Sequence, residues 1–432
     1  MTQVREGLPL VDHRRGDMLS GGVCSGTRPT MARSLFPEHA SIAFGASLLP
    51  SRTARRGGRL FEIAAAPKAM RKIIRESIPP APGVYAFYDR NGRILYVGKA
   101  KRLTHRLLSY FTRQPEDNKS VRIVRRAAFV RYERVAGELL ALIREQELIS
   151  RFRPVMNRRG QPRSRMPKFV SFSHDQAPRL RAVRARVDLG GGLHGPLMGG
   201  RRLRKAVEDF NHTFLLRDCG PDVSIIYSDQ QRLFEESLRP GCLRLETGTC
   251  SGPCAAEVTE ATYAHQVQMG EQFLRGETSD AVLQSIEQSM HDAAARKSFE
   301  WAARLRDRWQ NLKWLAARLD EVRMGRESYN AVYPMPGIGE TPIWLYLCGG
   351  AIAGATSAPR SARSAQRVSR NLESLSDGLP QSYLLRPDVL LMQLIVVGWL
   401  RRNPLERRKL IPLDVARQHC DRLGSNTLIT TA

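Results

Sequence analysis

Two short runs of aromatic and branched apolar residues, Val84–Tyr88 and Ile94–Val97, flank a polar gap that holds Asn91-Gly92. The pattern predicts paired strands joined by a two-residue hairpin turn, so that Tyr85 and Tyr96 can face one pocket. After Gly98 the period lengthens: Leu103, Leu107, Leu108 and Phe111 recur at helical spacing, with Lys99, Arg102 and Arg106 on the polar side. A third strand is expected over Ala128–Tyr132 and a second helix over Gly137–Phe152. The element order is strand, strand, helix, strand, helix.

Glu145 breaks the second helical pattern. It stands on the stripe of Leu142, Leu148 and Ile149, where a carboxylate costs folding energy unless a cation or donors satisfy it. One carboxylate can hold Mg²⁺ or Mn²⁺ while water and phosphate oxygens complete an octahedral shell. Arg106 can fork onto phosphate oxygens and stabilise the charge that builds there. A tyrosine near the metal and Lys99 can have its pKa lowered enough to take a proton from water. The set suits metal-assisted phosphodiester hydrolysis with no covalent intermediate.

Farther along, Phe169–Ser173 and Leu180–Val187 read as strands and Leu203–Phe214 as a helix that follows Gly195-Pro196. The glycines at 190–192 and 199–200 lack the Gly-x4-Gly-Lys-Ser/Thr pattern, so they read as turns and not as a phosphate loop. Thr259–Leu274 is helical, and two further stripes predict an antiparallel helix hairpin. Val282, Ile286 and Met290 form one stripe; Phe299, Ala302, Ala303, Leu305, Trp309 and Leu312 form the other. Beyond it lie a short β-hairpin, Ile343–Leu347 with Ala351–Ala355, and an apolar helix, Asp388–Arg402.

Charge changes the picture. The chain has 432 residues with 68 Lys+Arg against 42 Asp+Glu, a formal net charge of +26, which draws it to polyanions. Nucleic acid is the expected partner. The longest apolar stretches, Ser41–Pro50 and Val389–Leu400, are too short or interrupted to span a bilayer, so a cytoplasmic protein with no membrane partner is expected. Residues 1–66 are rich in Gly, Ser, Arg and Thr with no sustained period. They read as a disordered basic arm, or as an overlong translation start with Met31 or Met70 nearer the true beginning.

Seven cysteines are present, and Cys219, Cys242, Cys250 and Cys254 share one region. Such a cluster reads as a metal site more readily than as disulfides. Four thiolates suit a [4Fe–4S] cluster and Zn²⁺ alike. Cys24, Cys348 and Cys420 stand alone.

Gly83-Val84-Tyr85, the run Tyr96-Val97-Gly98-Lys99-Ala100-Lys101, Arg106, Ser109-Tyr110-Phe111, Glu145, Arg153-Pro154 and Asn157 together resemble the GIY-YIG nuclease domain of the nucleotide-excision-repair subunit UvrC. The match runs roughly from Ile78 to Asn157. It implies that Tyr85, Tyr96, Lys99, Arg106 and Asn157 are active-site residues, that Glu145 is the metal ligand, and that either tyrosine is the base. Val97 departs from the usual isoleucine, and Arg102 stands where the family often has asparagine. The cysteine segment is similar to the UvrC region whose four thiolates hold an iron–sulfur cluster, which implies Cys219, Cys242, Cys250 and Cys254 as ligands, with zinc the alternative. The gap from Cys219 to Cys242 is longer than the family's. Phe299, Glu300, Ala303, Leu305, Arg306 and Asp307 resemble the UVR motif, which implies docking of the hairpin onto UvrB within a UvrA/UvrB system.

The expected fold is α+β: a small GIY-YIG domain with a three-stranded antiparallel sheet flanked by helices, then the cysteine region, the hairpin and a small α+β C-terminal region. The boundaries read as an arm over 1–66, nuclease over 67–158, linker and small α/β element over 159–218, and cysteine region over 219–258. Helices follow over 259–319, with the hairpin at about 278–318, and a region of unknown role over 320–432. The RNase H-like nuclease and helix-hairpin-helix motifs of full-length UvrC are not found, so the chain reads as a truncated, Cho-like excinuclease subunit. The expected activity is a single-strand incision, 3′ of the lesion, in damaged double-stranded DNA. The alternatives are a non-catalytic UvrB-binding adaptor and a free-standing GIY-YIG endonuclease of restriction or homing type.

Overall fold

The computed structural model describes residues 44–45, 47–50, 54–55, 60–64, 66–112, 115, 118–157, 166–184, 192–220, 222–230, 242–339, 341–376 and 378–425. Residues 1–43 of the expected arm, Cys24 among them, lie outside these, as does the Val187 end of the expected second strand after residue 159.

The first sheet is antiparallel. Its strands are β1 (Ala54–Arg55), β2 (Phe61–Glu62), β3 (Gly83–Tyr88), β4 (Ile94–Ala100) and β5 (Phe129–Val135), in the order β1-β5-β3-β4 with β2 also on β5. The three expected strands are present, and β1 and β2 extend the sheet beyond three. Strand alternation sends Val84 and Ala86 to one face of central β3 and Tyr85 and Phe87 to the other, and all four are buried. The Tyr85 face carries α1 (Pro67–Ser77), α2 (Leu103–Leu108) and α3 (Lys119–Arg126), with Met70, Ile74, Leu103, Leu107 and Ile123 in its core. Helix α3 starts on an Asn118 cap whose side chain accepts from the Ser120 N–H. The Val84 face carries α4 (Glu138–Phe152).

The hairpin connection is longer than the expected two residues. Strand pairing ends at Tyr88 and Ile94 with a register shift after Phe87, and Asp89 Oδ1 accepts from the Asn91 and Arg93 N–H groups at 2.9 and 2.8 Å. The aspartate organises a wider loop, and Gly92 supplies the positive φ of 74° it needs.

The arm expectation is corrected at its end. Phe44 and Leu49 are buried in the largest core, and Phe61 and Glu62 pair with Val130 and Phe129 of β5. Arg144 is the reason: fully buried, it donates to Glu133 Oε1 at 3.0 Å, Glu147 Oε2 at 2.8 Å and the Gly45 carbonyl at 2.9 Å. A buried guanidinium must fill its donors. Gly45 supplies one acceptor, and Ser47 and Leu48 donate to the Glu147 carboxylate beside it.

The second sheet, in the order β7-β6-β8, comprises β6 (Lys168–Phe172), β7 (Leu180–Val183) and β8 (His194–Leu197). With it pack α5 (Gly200–Thr213), α6 (Glu260–Arg275), α7 (Ser279–Ala295) and α8 (Phe299–Ser328). The expected helix hairpin is α7 with α8, but it is not self-contained. Ile286, Ala293, Leu305, Leu312 and Leu315 share a core with Phe210 and Phe273, and α8 runs ten residues past Arg318.

The last sheet has the order β11-β10-β9-β12, from β9 (Ala331–Met335), β10 (Ile343–Cys348), β11 (Ala351–Ser357) and β12 (Ile411–Pro412). Helices α9 (Ala362–Ser376), α10 (Pro387–Arg402) and α11 (Leu413–Ser425) complete it. Its apolar face meets the first sheet and α4: Tyr333, Leu345, Met392 and Trp399 share one core with Leu139, Ile143 and Val97. The α4 helix is therefore covered on its outer side by the C-terminal region. No helix among the described residues is long and apolar enough to cross a membrane.

Candidate active site

Register brings the tyrosines together. Tyr85 pairs across β3 and β4 with Gly98, and Phe87 pairs with Tyr96, so Tyr85, Tyr96 and Gly98 lie on one face of the sheet. Gly98 is required there. A Cβ on it would sit 2.4 Å from Tyr85 Oη and 3.0 Å from Tyr96 Cε1, so the absence of a side chain is what lets the Tyr85 ring lie across β4.

Helix α2 then delivers Arg106 and the turn after it delivers Tyr110. Tyr85 Oη is 2.9 Å from Tyr110 Oη, and Arg106 Nε donates to Tyr85 Oη at 3.2 Å. The Arg106 guanidinium also lies 5.3 Å from the Tyr110 ring centroid. Tyr110 was not singled out from sequence as a site residue, although Ser109-Tyr110-Phe111 was on view. Its signal is its place one turn after Arg106, just past the end of α2.

Glu145 reaches this group from α4. Burial pushes its carboxyl above the ordinary carboxylate range, while Lys99, including a backbone N–H bond, and the charges of Arg106 and Lys119 pull it down. The expected positive surroundings are thus three cations. Burial also raises the Tyr96 hydroxyl, and the Glu145 charge adds to the rise. Tyr85 is pushed up to about 12, chiefly by burial. Lys119, on α3, completes the set with its ammonium 4.5 Å from the Tyr96 ring centroid. It too went unseen in the sequence, because its helix was not predicted.

Two expected members stand differently. The Lys99 ammonium lies 3.4 Å from Glu138 Oε1, and Lys101 takes Oε2 of the same carboxylate at 2.9 Å. Lys99 is therefore paired at the rim, and Arg106 is the cation that lowers the Tyr85 and Tyr96 hydroxyls. Burial dominates at both tyrosines, whose hydroxyls are pushed upward on balance. Asn157 spends its amide on β4: Oδ1 accepts from the Val97 N–H and Nδ2 donates to the Val97 carbonyl, each at 2.8 Å. It is a buried positioning residue that ties the end of the domain to the strand bearing Tyr96.

Among the described residues no three His, Cys, Asp or Glu side chains gather at metal-holding distance. A hard cation at Glu145 would take one protein carboxylate and fill its shell with water and phosphate oxygens. The donor chemistry fits that demand.

The four clustered cysteines are near one another. Burial pushes the Cys250 thiol up to about 11; a Gly252 N–H works against this, and Cys219, Cys254 and Cys242 each add to the rise. The Gly252 N–H donates to Cys250 Sγ at 3.4 Å, and Arg217 Nη1 to Cys219 Sγ at 3.6 Å. Cys219, Cys242, Cys250 and Cys254 form no disulfide, and among the described residues they do not gather at metal-holding distance. Of the residues expected to meet UvrB, Leu305 is buried in the core and is corrected to a packing residue, whereas Phe299 is 68% exposed. Arg306 and Asp307 pair at 3.0 Å on the surface.

Residues 81–158 match the family described as the UvrC-like GIY-YIG domain, and residues 167–273 match the UvrC/Cho excinuclease middle domain. The UvrABC system protein C of Pseudomonas aeruginosa is 34% identical over 226 residues, 52% of this chain and 35% of that protein. That of Methylococcus capsulatus is 32% identical over 249 residues, 57% of this chain and 38% of that protein. The chain thus spans well under half the length of these curated relatives. The magnesium-bound GIY-YIG N-terminal endonuclease domain of UvrC from Thermotoga maritima is 41% identical, covering 21% of this chain and 97% of that domain, with a TM-score of 0.19.

Proposed function

We propose that this chain, which belongs to the UvrC family through its GIY-YIG and middle domains, is a divalent-metal-dependent DNA endonuclease of nucleotide excision repair. It makes one single-strand incision, on the 3′ side of the lesion, in damaged duplex DNA. The observation that carries this reading is the convergence of Tyr85, Tyr96, Tyr110 and Arg106 on one face of the first sheet with Glu145, which acts on Tyr96 and Arg106 from the helix on the opposite face.

Glu145 would hold Mg²⁺ or Mn²⁺, which lowers the pKa of bound water and offsets charge on phosphate oxygens. Arg106 stands ready to bind a non-bridging phosphate oxygen, held in aim by Tyr85. Tyr85 has no exposed surface and its hydroxyl is bonded to Tyr110 and Arg106. Tyr96 is half-buried and is the candidate base: it would accept the proton of the attacking water as the phenolate, having first lost its own proton to solvent under the pull of a cation held at Glu145. Burial raises the Glu145 carboxyl, and the charges of Lys99, Arg106 and Lys119 oppose that rise.

UvrB is the proposed presenter of the DNA, through the start of α8. Phe299 and Trp301, 68% and 42% exposed, offer apolar rings on a helix whose other side is committed to the core. Cys219, Cys242, Cys250 and Cys254 would hold a [4Fe–4S] cluster that staples the loop-rich segment before α6. Zinc is the competing metal.

The test is a strand-nicking assay on lesion-bearing duplex with UvrB, ATP and Mg²⁺ or Mn²⁺. Wild type should nick once on the 3′ side. Glu145→Gln should lose nearly all activity, since one oxygen charge fewer empties the metal site. Equal nicking by both proteins would remove Glu145 from its role. No nicking by wild type, with UvrB binding retained, would leave an adaptor.

A further inference from the structure

We infer that the cleft between β7 and α5 in the middle domain is a second DNA-contacting site, which binds the phosphodiester backbone independently of base sequence. The inference rests on the nucleic-acid reading above.

The cleft has a volume of about 430 Å³ and presents Lys168, Arg179, Arg181 and Arg204. Two contacts assemble it. Asn211 on α5 accepts from the Leu180 N–H at 2.9 Å and donates to the Leu180 carbonyl at 3.1 Å, which clamps the start of β7 to the helix. Arg179 and Arg181 flank the clamped residue, and Leu180 itself turns into the core, so strand alternation places both arginines on its other side, beside Arg204.

The charge there is uncompensated. The two carboxylates that line the cleft are engaged elsewhere: Glu208 with Lys205 at 3.2 Å, and Asp218 with Arg244 and with His212 at 3.3 Å. Among the described residues, none of the four cations pairs with a carboxylate, and Arg179 Nε is buried with no hydrogen-bond partner. A buried guanidinium N–H without an acceptor is costly, and an anionic oxygen in the cleft would satisfy it.

The rest of the lining decides what the anion is. Leu180, Ala182, Leu203 and Val207 are aliphatic and no aromatic ring is present, so nothing offers a stacking platform for bases. Several cations on an aliphatic floor, in a chain of net charge +26, suit a run of phosphates held for position and not for sequence. The middle domain would then grip the duplex while the nuclease site cuts it.

The experiment uses the full chain in EDTA, a fluorescein-labelled DNA duplex and anisotropy over a series of salt concentrations. Joint substitution Arg179→Ala, Arg181→Ala and Arg204→Ala should weaken binding about ten-fold or more. It should also lower the slope of log K against log salt by about 2–3, one counterion release per lost phosphate contact. The same three positions changed to Lys should restore the slope. An unchanged slope in the alanine protein overturns the proposal, as does a Lys protein as weak as the Ala one, which would mean the arginines only support the fold. Loss of nicking by wild type with this binding difference intact would instead sink the endonuclease reading and leave the cleft standing.

Discussion

The Tyr85 hydroxyl lies 2.9 Å from the Tyr110 hydroxyl, and the same Tyr85 oxygen accepts from Arg106 Nε at 3.2 Å. One buried phenol thus joins a strand to a short helix and fixes the direction of the guanidinium. Tyr110→Phe should remove one of these bonds and leave the ring packing. With about 1–2 kcal/mol for such a bond, nicking should fall roughly five- to thirty-fold while thermal stability changes little. Undiminished kcat in the phenylalanine protein would show that Arg106 needs no such support.

Lys119 gives a pH prediction. Glu145 must be ionised to hold a cation, and burial already raises its carboxyl while Lys119 helps to lower it. Removing that charge raises the carboxyl further. The acid limb of the pH profile of kcat/KM should therefore move to higher pH in Lys119→Ala, with the two proteins converging toward alkaline pH. An acid limb that stays in place would separate Lys119 from Glu145.

Asn157 should behave as a structural clamp. Asn157→Ala leaves the buried Val97 N–H and carbonyl without their partners, a cost of about 2–4 kcal/mol. Urea unfolding should register that loss, with nicking per folded molecule retained. Full stability with abolished nicking would return Asn157 to a direct catalytic part.

The cysteine cluster is tested without any activity. Chain purified anaerobically should be brown and bleach on oxidation, and Cys250→Ser should be colourless with less metal bound. A colourless wild type carrying stoichiometric zinc would assign the four thiols to Zn²⁺.

Much of the nuclease part could be read from local pattern. Strand and helix runs are set by side-chain period, so β3, β4 and α4 fell within a few residues of their expected ends, and Glu145 stood out because an acid interrupts an apolar stripe. Contacts between distant segments were hidden. That Asn157 bonds to Val97, that Lys99 turns to Glu138 and that Lys119 reaches Tyr96 depend on how separate elements pack, and no period in the chain encodes it. The Phe44 segment and the docking of the C-terminal sheet on α4 were hidden for the same reason, although the hairpin of β10 and β11 was legible. Their apolar residues have meaning only against Arg144 and the outer side of α4.

Sequence alone therefore determined which residue types could do hydrolytic chemistry here, and on which elements they ride, because helices and strands follow from nearest-neighbour sterics and hydrophobic period. Tertiary structure decided which of them meet. Burial and register select among side chains of equal chemical promise, bringing Tyr110 and Lys119 to the site, turning Asn157 into a clamp and leaving four cations of the middle domain facing an open cleft.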